Sequence, residues 1–312
     1  MRPLAALASV SLAVSCLLVA CGGTSDSETN GSTAAETTST LEALWRAPGD
    51  DVAIVPGTQT YEPGRVRVSF LVVDAEGRPV NLPTAKVWLA RGLEERPFLE
   101  STAQLERIGV PGKDETADST HIYVAHFALR EPGTYWLLAE PEGGAAEVQA
   151  IGNVVVAEAG STGPPRVGDR APASDTPTLR SVGGDATKLT TRVPPDVTLL
   201  EHSVAESLGD GVPFVVSFAT PKLCKSRTCG PVVDVVEEVA QRSDESGVRF
   251  VHVEVYEGND PAKGYNRWMQ EWGLTTEPWT FVVGADGRIR DRFEGPVSVR
   301  ELEAAVEKVA RP

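Results

Sequence analysis

Apolar and polar positions alternate over Arg65–Val73, which places Val66, Val68, Phe70 and Val72 on one face of a predicted strand. Ala85–Ala90, Ile122–Leu129, Gly133–Ala139 and Val148–Val156 are further short runs rich in β-branched and aromatic residues, and each predicts a strand. Turn signals separate them, as Gly77 and Pro79 do just after the first strand. Several short strands with turns between them predict an all-β sandwich over residues 41–157.

The pattern changes toward the C-terminus. Pro213–Phe218 is a largely apolar run and predicts a buried strand. The segment Pro231–Arg242 carries Val232, Val235, Val236 and Val239 at i, i+3, i+4 and i+7, the spacing of a helix face. Val248–Val255 predicts a second strand and Pro261–Trp272 a second helix. Trp279–Val283 and Arg288–Phe293 predict a hairpin, and the final helix begins at Ser298, where Ser298 and Glu301 are spaced as a capping box. The predicted order is β-α-β-α-β-β-α. Between the two regions, residues 158–196 are rich in Gly, Pro, Ser and Thr and read as a connector.

The 312 residues suffice for two domains with separate cores, so the expected fold class is multidomain, an N-terminal β-sandwich followed by a C-terminal α/β domain over 197–312. The remaining long apolar stretch is Leu4–Ala20, behind Arg2, which reads as an export signal. It ends Leu18-Val19-Ala20-Cys21, which resembles a bacterial lipobox and implies a signal peptide over 1–20 and lipidation of Cys21. Residues 21–40 are small, polar or acidic after that cysteine and read as a flexible tether. The expected location is therefore the extracytoplasmic face of a cell membrane, held by N-terminal lipid alone. With 29 basic against 44 acidic residues, a net charge of −15 disfavours nucleic acid and anionic headgroups as partners.

With Cys16 leaving in the signal and Cys21 lipidated, Cys224 and Cys229 are the two thiols that remain, in a compartment that tolerates disulfides. They lie between the Pro213–Phe218 strand and the helix that follows. Cys229 stands at a helix start, where unpaired N–H groups and the dipole favour a thiolate. Lys222, Lys225 and Arg227 add cations to the same stretch. A bridge across Cys224–Cys229 would contribute roughly 2 kcal/mol by loop entropy, so the spacing fits either a working pair or a structural clip.

The element order, Cys229-Gly230-Pro231 at the first helix, Pro278 before the third strand and Gly295 after the hairpin together resemble the thioredoxin fold over residues 197–311. The segment Val167–Pro172 is similar to the opening of membrane-tethered relatives, and Phe127–Leu137 resembles an immunoglobulin-like hairpin in which a Gly-x-Tyr segment starts a late strand. The resemblance implies thiol–disulfide exchange with an exported thiol- or disulfide-bearing protein and no cofactor. Carried over, Cys229 is the attacking thiolate, Pro278 a cis-proline that binds extended substrate backbone, and Glu277 and Trp279 its neighbours on the substrate side; core packing is the other reading of Trp279. The pattern departs from the family where Val232 occupies the place of the second thiol, which leaves Cys224 as the resolving thiol. Ser217 stands near the position of the family's buried carboxylate.

Two other classes fit the same residues. One is a non-catalytic binding or structural module with a permanent Cys224–Cys229 bridge. The other is a copper carrier, since two nearby thiols can hold Cu(I). The histidines add no metal site: His121 and His126 are five apart on a strand and face opposite ways, His252 lies within a strand, and His202 reads as a surface residue. Neither cysteine fits the Pro-x-x-x-Thr-x-x-Cys pattern of peroxiredoxins.

Overall fold

The computed structural model describes residues 39–113, 119–143, 148–161, 163–223 and 232–310. The described residues are mostly β, with one large sheet, a smaller one and few helices. Seven strands make the large sheet: β1 (Asp50–Pro56), β2 (Gly64–Asp74), β3 (Thr84–Ala90), β4 (Leu99–Arg107), β5 (His121–Leu129), β6 (Gly133–Glu142) and β7 (Val148–Val156). Their order is β1-β2-β5-β4-β3-β6-β7, closed into a barrel. The sequence predicts a sandwich of two sheets, and the difference lies in β1. Its first two residues pair in parallel with β7, while Val52–Pro56 pair antiparallel with β2, so one strand bridges what would otherwise be two open edges.

The predicted face of β2 is the one that is buried. Val66, Val68, Phe70 and Val72 join Tyr123, Phe127, Tyr135 and Leu137 in the barrel core. Phe70 stacks on Tyr123 at 5.6 Å between ring centroids, and the Tyr123 hydroxyl donates out of the core to the carbonyls of Val80 and Leu82. A short helix, α1 (Leu41–Trp45), begins at the Thr40 cap and lays Leu41 on Trp88 and Leu138, outside the barrel.

The smaller sheet has four strands in the order β11-β10-β8-β9. These are β8 (Phe214–Phe218), β9 (Arg249–Val253), β10 (Trp279–Val283) and β11 (Ile289–Glu294), with β8 and β9 parallel and the other pairs antiparallel. Helix α2 (Val204–Gly209) precedes β8, α3 (Val232–Arg242) follows it, α4 (Arg267–Glu271) precedes β10, and α5 (Val299–Glu307) closes the chain. One face of the sheet carries Val215 and Val282 against the valines of α3 and Leu302, Ala305 and Val306 of α5. The other carries Phe214, Val216, Phe218 and Phe281 against Val204, Met269 and Trp272. At about 1.5–3 kcal/mol for each large apolar side chain removed from water, both layers contribute substantially to stability. The expected helix over Pro261–Trp272 is split: a 3₁₀ turn at Pro261–Lys263, then α4, because Gly264 takes a positive φ between them and Asn266 caps anew.

The segment read from composition as a connector is packed for much of its length. Ala171 lies in the core under Phe214 and Ile289, and Gly168, Asp169 and Ala171 exchange backbone hydrogen bonds with Gly287 and Ile289. Ser174 donates to Glu271 at 2.5 Å, and Thr176 accepts from the Val204 amide at 3.0 Å. Small polar side chains fill these tight spaces without giving a hydrophobic period.

Candidate functional site

Cys21, Cys224 and Cys229 lie outside the described residues, as do Lys225 and Arg227. The surroundings of Leu223 and Val232, which flank residues 224–231, are described. At one end, β8 runs into Ala219 and Thr220, both buried, and the Lys222 amide donates to Thr191 Oγ1 at 3.2 Å. At the other, α3 opens on Val232, buried in the core, with Asp234 in its first turn. Arg192 fastens that turn: its guanidinium bonds Asp234 Oδ1 at 2.7 Å, Glu237, and the Pro194 carbonyl at 2.8 Å.

The antiparallel register brings the residues before β10 beside this corner. Trp279 pairs with Phe218, which sets Pro278 and Glu277 alongside Ala219 and Thr220. The Glu277–Pro278 bond is cis and Pro278 is buried. Glu277 accepts from the Tyr256 hydroxyl at 3.3 Å. Burial pushes its carboxyl up to about 7, helped by nearby Glu254, while hydrogen bonds from Tyr256 and the Thr220 amide pull the other way. Near neutrality this group is therefore divided between acid and carboxylate. Tyr256, in turn, is pushed to about 12 by burial and by Glu277.

His252 on β9 and Glu254 just beyond its end are both buried, and the strand alternation turns His252 onto the face covered by α3. Burial lowers the His252 pKa despite the opposing pull of Glu254, so the ring is neutral at pH 7. Its Nε2–H donates to the Ala219 carbonyl at 3.0 Å, since a carbonyl can only accept. Glu254 Oε1 accepts from the Thr191 amide at 2.5 Å. Ser217, in the middle of the same sheet, shares a hydrogen bond with Thr280 at 3.2 Å. The strand ends thus gather a neutral imidazole, two carboxyl groups and a phenol around Ala219 and Thr220, an arrangement able to give and take protons.

Trp279 does not belong to that surface. It is 1% exposed, stacks on Phe281 at 5.5 Å and donates its Nε1–H to Thr276 Oγ1 at 3.0 Å, the position that the core-packing reading describes. His126 is exposed and His121 is half-buried, bonding Thr120. Among the described residues no group of three His, Cys, Asp or Glu side chains is placed to hold a metal ion, and no helix is long and apolar enough to cross a membrane. Glu254, Tyr256 and Thr191 were not legible as site residues. Their one signal in the sequence is that His252 and Glu254 interrupt an otherwise apolar run at a two-residue spacing.

No family model matches the chain, and no curated protein matches it. Among solved structures, a thiol:disulfide interchange protein of the thioredoxin family from Chlorobium tepidum TLS is similar at 19% identity and a TM-score of 0.27, over 32% of this chain and 81% of that one. An engineered protein is similar at 14% identity and a TM-score of 0.22, over 34% of this chain and 20% of that one. The PKD domain of the human VPS10 domain-containing receptor SorCS2 is similar at 18% identity and a TM-score of 0.19, over 47% of this chain and 98% of that one. Scores this low carry no argument about fold or function.

Proposed function

We propose that this chain is a thioredoxin-like thiol–disulfide exchange protein joined to an immunoglobulin-like β-domain and tethered by lipid on Cys21 to the extracytoplasmic face of a membrane. The observation that carries the reading is the four-stranded sheet in the order β11-β10-β8-β9, in which the loop between β8 and α3 bears Cys224 and Cys229 and Pro278 opens the strand beside β8. In this reading the Cys229 thiolate attacks one sulfur of a partner's disulfide; that S–S bond breaks and a partner thiolate leaves. The Cys224 thiolate then attacks the Cys229 sulfur of the mixed disulfide, which releases the partner's second thiolate and closes Cys224–Cys229. Two electrons pass to the partner, and the reverse sequence oxidises it. The carboxyl of Glu277, divided between acid and carboxylate near neutrality, can give a proton to one leaving thiolate, and solvent supplies the other.

The test is a redox titration of the pair together with Cys224→Ser. A potential above about −300 mV and accumulation of mixed disulfides with Cys224→Ser are expected. A lower potential with no trapped partner assigns the bridge to a permanent clip. Stoichiometric Cu(I) binding by the reduced protein would instead favour a copper carrier.

A further inference from the structure

We propose that Glu294 is a positioning residue through which the barrel holds the Thr276–Pro278 segment in place, so that the barrel is a working part of the exchange site. This rests on the exchange reading above.

Glu294 ends β11 and is 7% exposed. A carboxylate so far from water is tolerated only when its oxygens are hydrogen-bonded, and here the donors come from two sides. Oε2 accepts the amides of Gln59 and Thr60, at 3.1 and 2.7 Å, from the barrel turn between β1 and β2. Oε1 accepts the Thr276 hydroxyl at 2.8 Å. The direction of each bond follows. Trp279 Nε1 can only donate, so Thr276 Oγ1 receives it and spends its own proton on Glu294. The chain of bonds thus runs from the residue after Pro278, through the residue before Glu277, to the barrel.

A second link is made by backbone alone. The Gly295 amide donates to the Pro278 carbonyl at 2.8 Å. Gly295 has φ +75°, and a Cβ there would collide with the Gly57 carbonyl of the same barrel turn, so the two backbones meet where only glycine fits. Behind it, Arg67 of β2 grips Glu301 at 2.7 and 3.0 Å and the Pro296 carbonyl at 2.9 Å. Burial raises the Tyr61 phenol with help from Glu294, and its hydroxyl donates to the Thr58 carbonyl at 2.7 Å, which stiffens the turn that meets the carboxylate.

Two variants test this. Glu294→Ala removes the shared acceptor. Thr276→Val keeps the shape, leaves the barrel contacts intact and cuts only the branch toward Pro278; Thr276→Ser should restore it. Amide hydrogen exchange at Gln59, Thr60 and Gly295 is expected to quicken about tenfold or more in Glu294→Ala, the scale of a lost hydrogen bond to a charged group. Thr276→Val is expected to raise KM several-fold for a short peptide disulfide, which needs the backbone positioned, and to leave kcat and the reduction of bis(2-hydroxyethyl) disulfide unchanged. Gly295 exchange unmoved in Glu294→Ala, or equal KM values for Thr276→Val and the native chain, overturns the proposal. A native chain inactive toward both disulfides, with the amides still coupled, overturns the exchange reading and leaves the mechanical link standing.

Discussion

The barrel and the four-stranded sheet differ in where each keeps its polar groups. The barrel interior is apolar from end to end, and its buried tyrosines send their hydroxyls outward to backbone carbonyls, as Tyr123 does to Val80 and Leu82 and Tyr135 to Glu131. The four-stranded sheet holds the buried Ser217–Thr280 pair at its centre, and at one end it buries His252, Glu254 and Thr220 beside Glu277. A fold minimising its free energy alone would not collect carboxyl groups there, since each costs desolvation that hydrogen bonds only partly return. Local departures of this kind mark where function has been set against stability. In the proposed exchange reading, the contrast puts the titratable groups at the sheet end and makes the barrel the support that holds that end in place.

The contrast is broken most severely by emptying the barrel. Phe70→Ala deletes a ring 1% exposed that stacks on Tyr123, and the expected loss is about 3–5 kcal/mol. Denaturant unfolding measures it through the midpoint at constant slope. If the barrel were an independent appendage, the α/β sheet would keep its own transition while the barrel melted. Since Arg67, Glu294 and Gly295 tie the two together, one shared transition is expected instead.

A smaller effect with a distinct signature is expected at Glu277. Its carboxyl stands at about 7 in the folded chain against an ordinary 4.5. The folded state therefore keeps a proton that the unfolded state loses above 4.5, so stability is fullest at or below that pH, falls as pH rises toward 7, and levels beyond it. The difference of 2.5 units (7 less 4.5) caps the loss at about 3 kcal/mol. Glu277→Gln removes the ionisation and should flatten the slope across that window in a melting series against pH. An unchanged slope would place the titrating group elsewhere. In the barrel, Glu131→Gln, at an exposed carboxylate, is the matching control.

Where apolar period and capping chemistry agree, structure could be read from sequence directly. The face Val66, Val68, Phe70 and Val72 is buried as the alternation requires, and the helix face of α3 is buried as its spacing requires. Strand β4 is not legible because Leu99–Arg107 sets Glu100, Thr102, Gln104 and Glu106 against only three apolar residues, Leu99, Ala103 and Leu105, on the core side, a pattern too weak to separate from a loop. The packed stretch 167–196 escaped for the opposite reason: small Ala, Ser and Thr side chains bury well but leave no period. The cis bond before Pro278 is present as the resemblance implies, directly before β10. Tyr256, Glu254 and Thr191 were not legible as neighbours of Glu277, because they arrive from sequence positions 21 to 86 residues away and only the folded chain brings them together.

The finest test of that legibility is Ser298. Its hydroxyl accepts the Glu301 amide at 3.1 Å, and the Glu301 side chain returns to the Ser298 amide at 3.2 Å, the reciprocal pair that the sequence spacing predicts. Yet Glu301 is also the carboxylate gripped by Arg67 of the barrel. Burial pushes its pKa up, but the Arg67 charge and hydrogen bonds, the Ser298 amide and nearby His126 together hold the group below its ordinary value, so it is ionised at neutral pH. Ser298→Ala should cost about 1 kcal/mol, the usual worth of an N-cap. If the cap serves α5 alone, the loss will simply add to that of Arg67→Ala. If cap and ion pair position one carboxylate between them, removing both will cost measurably less or more than the sum, by 0.5 kcal/mol or above on the usual scale for contacting residues. Non-additivity is the expected result, because a single carboxylate side chain serves helix and barrel at once.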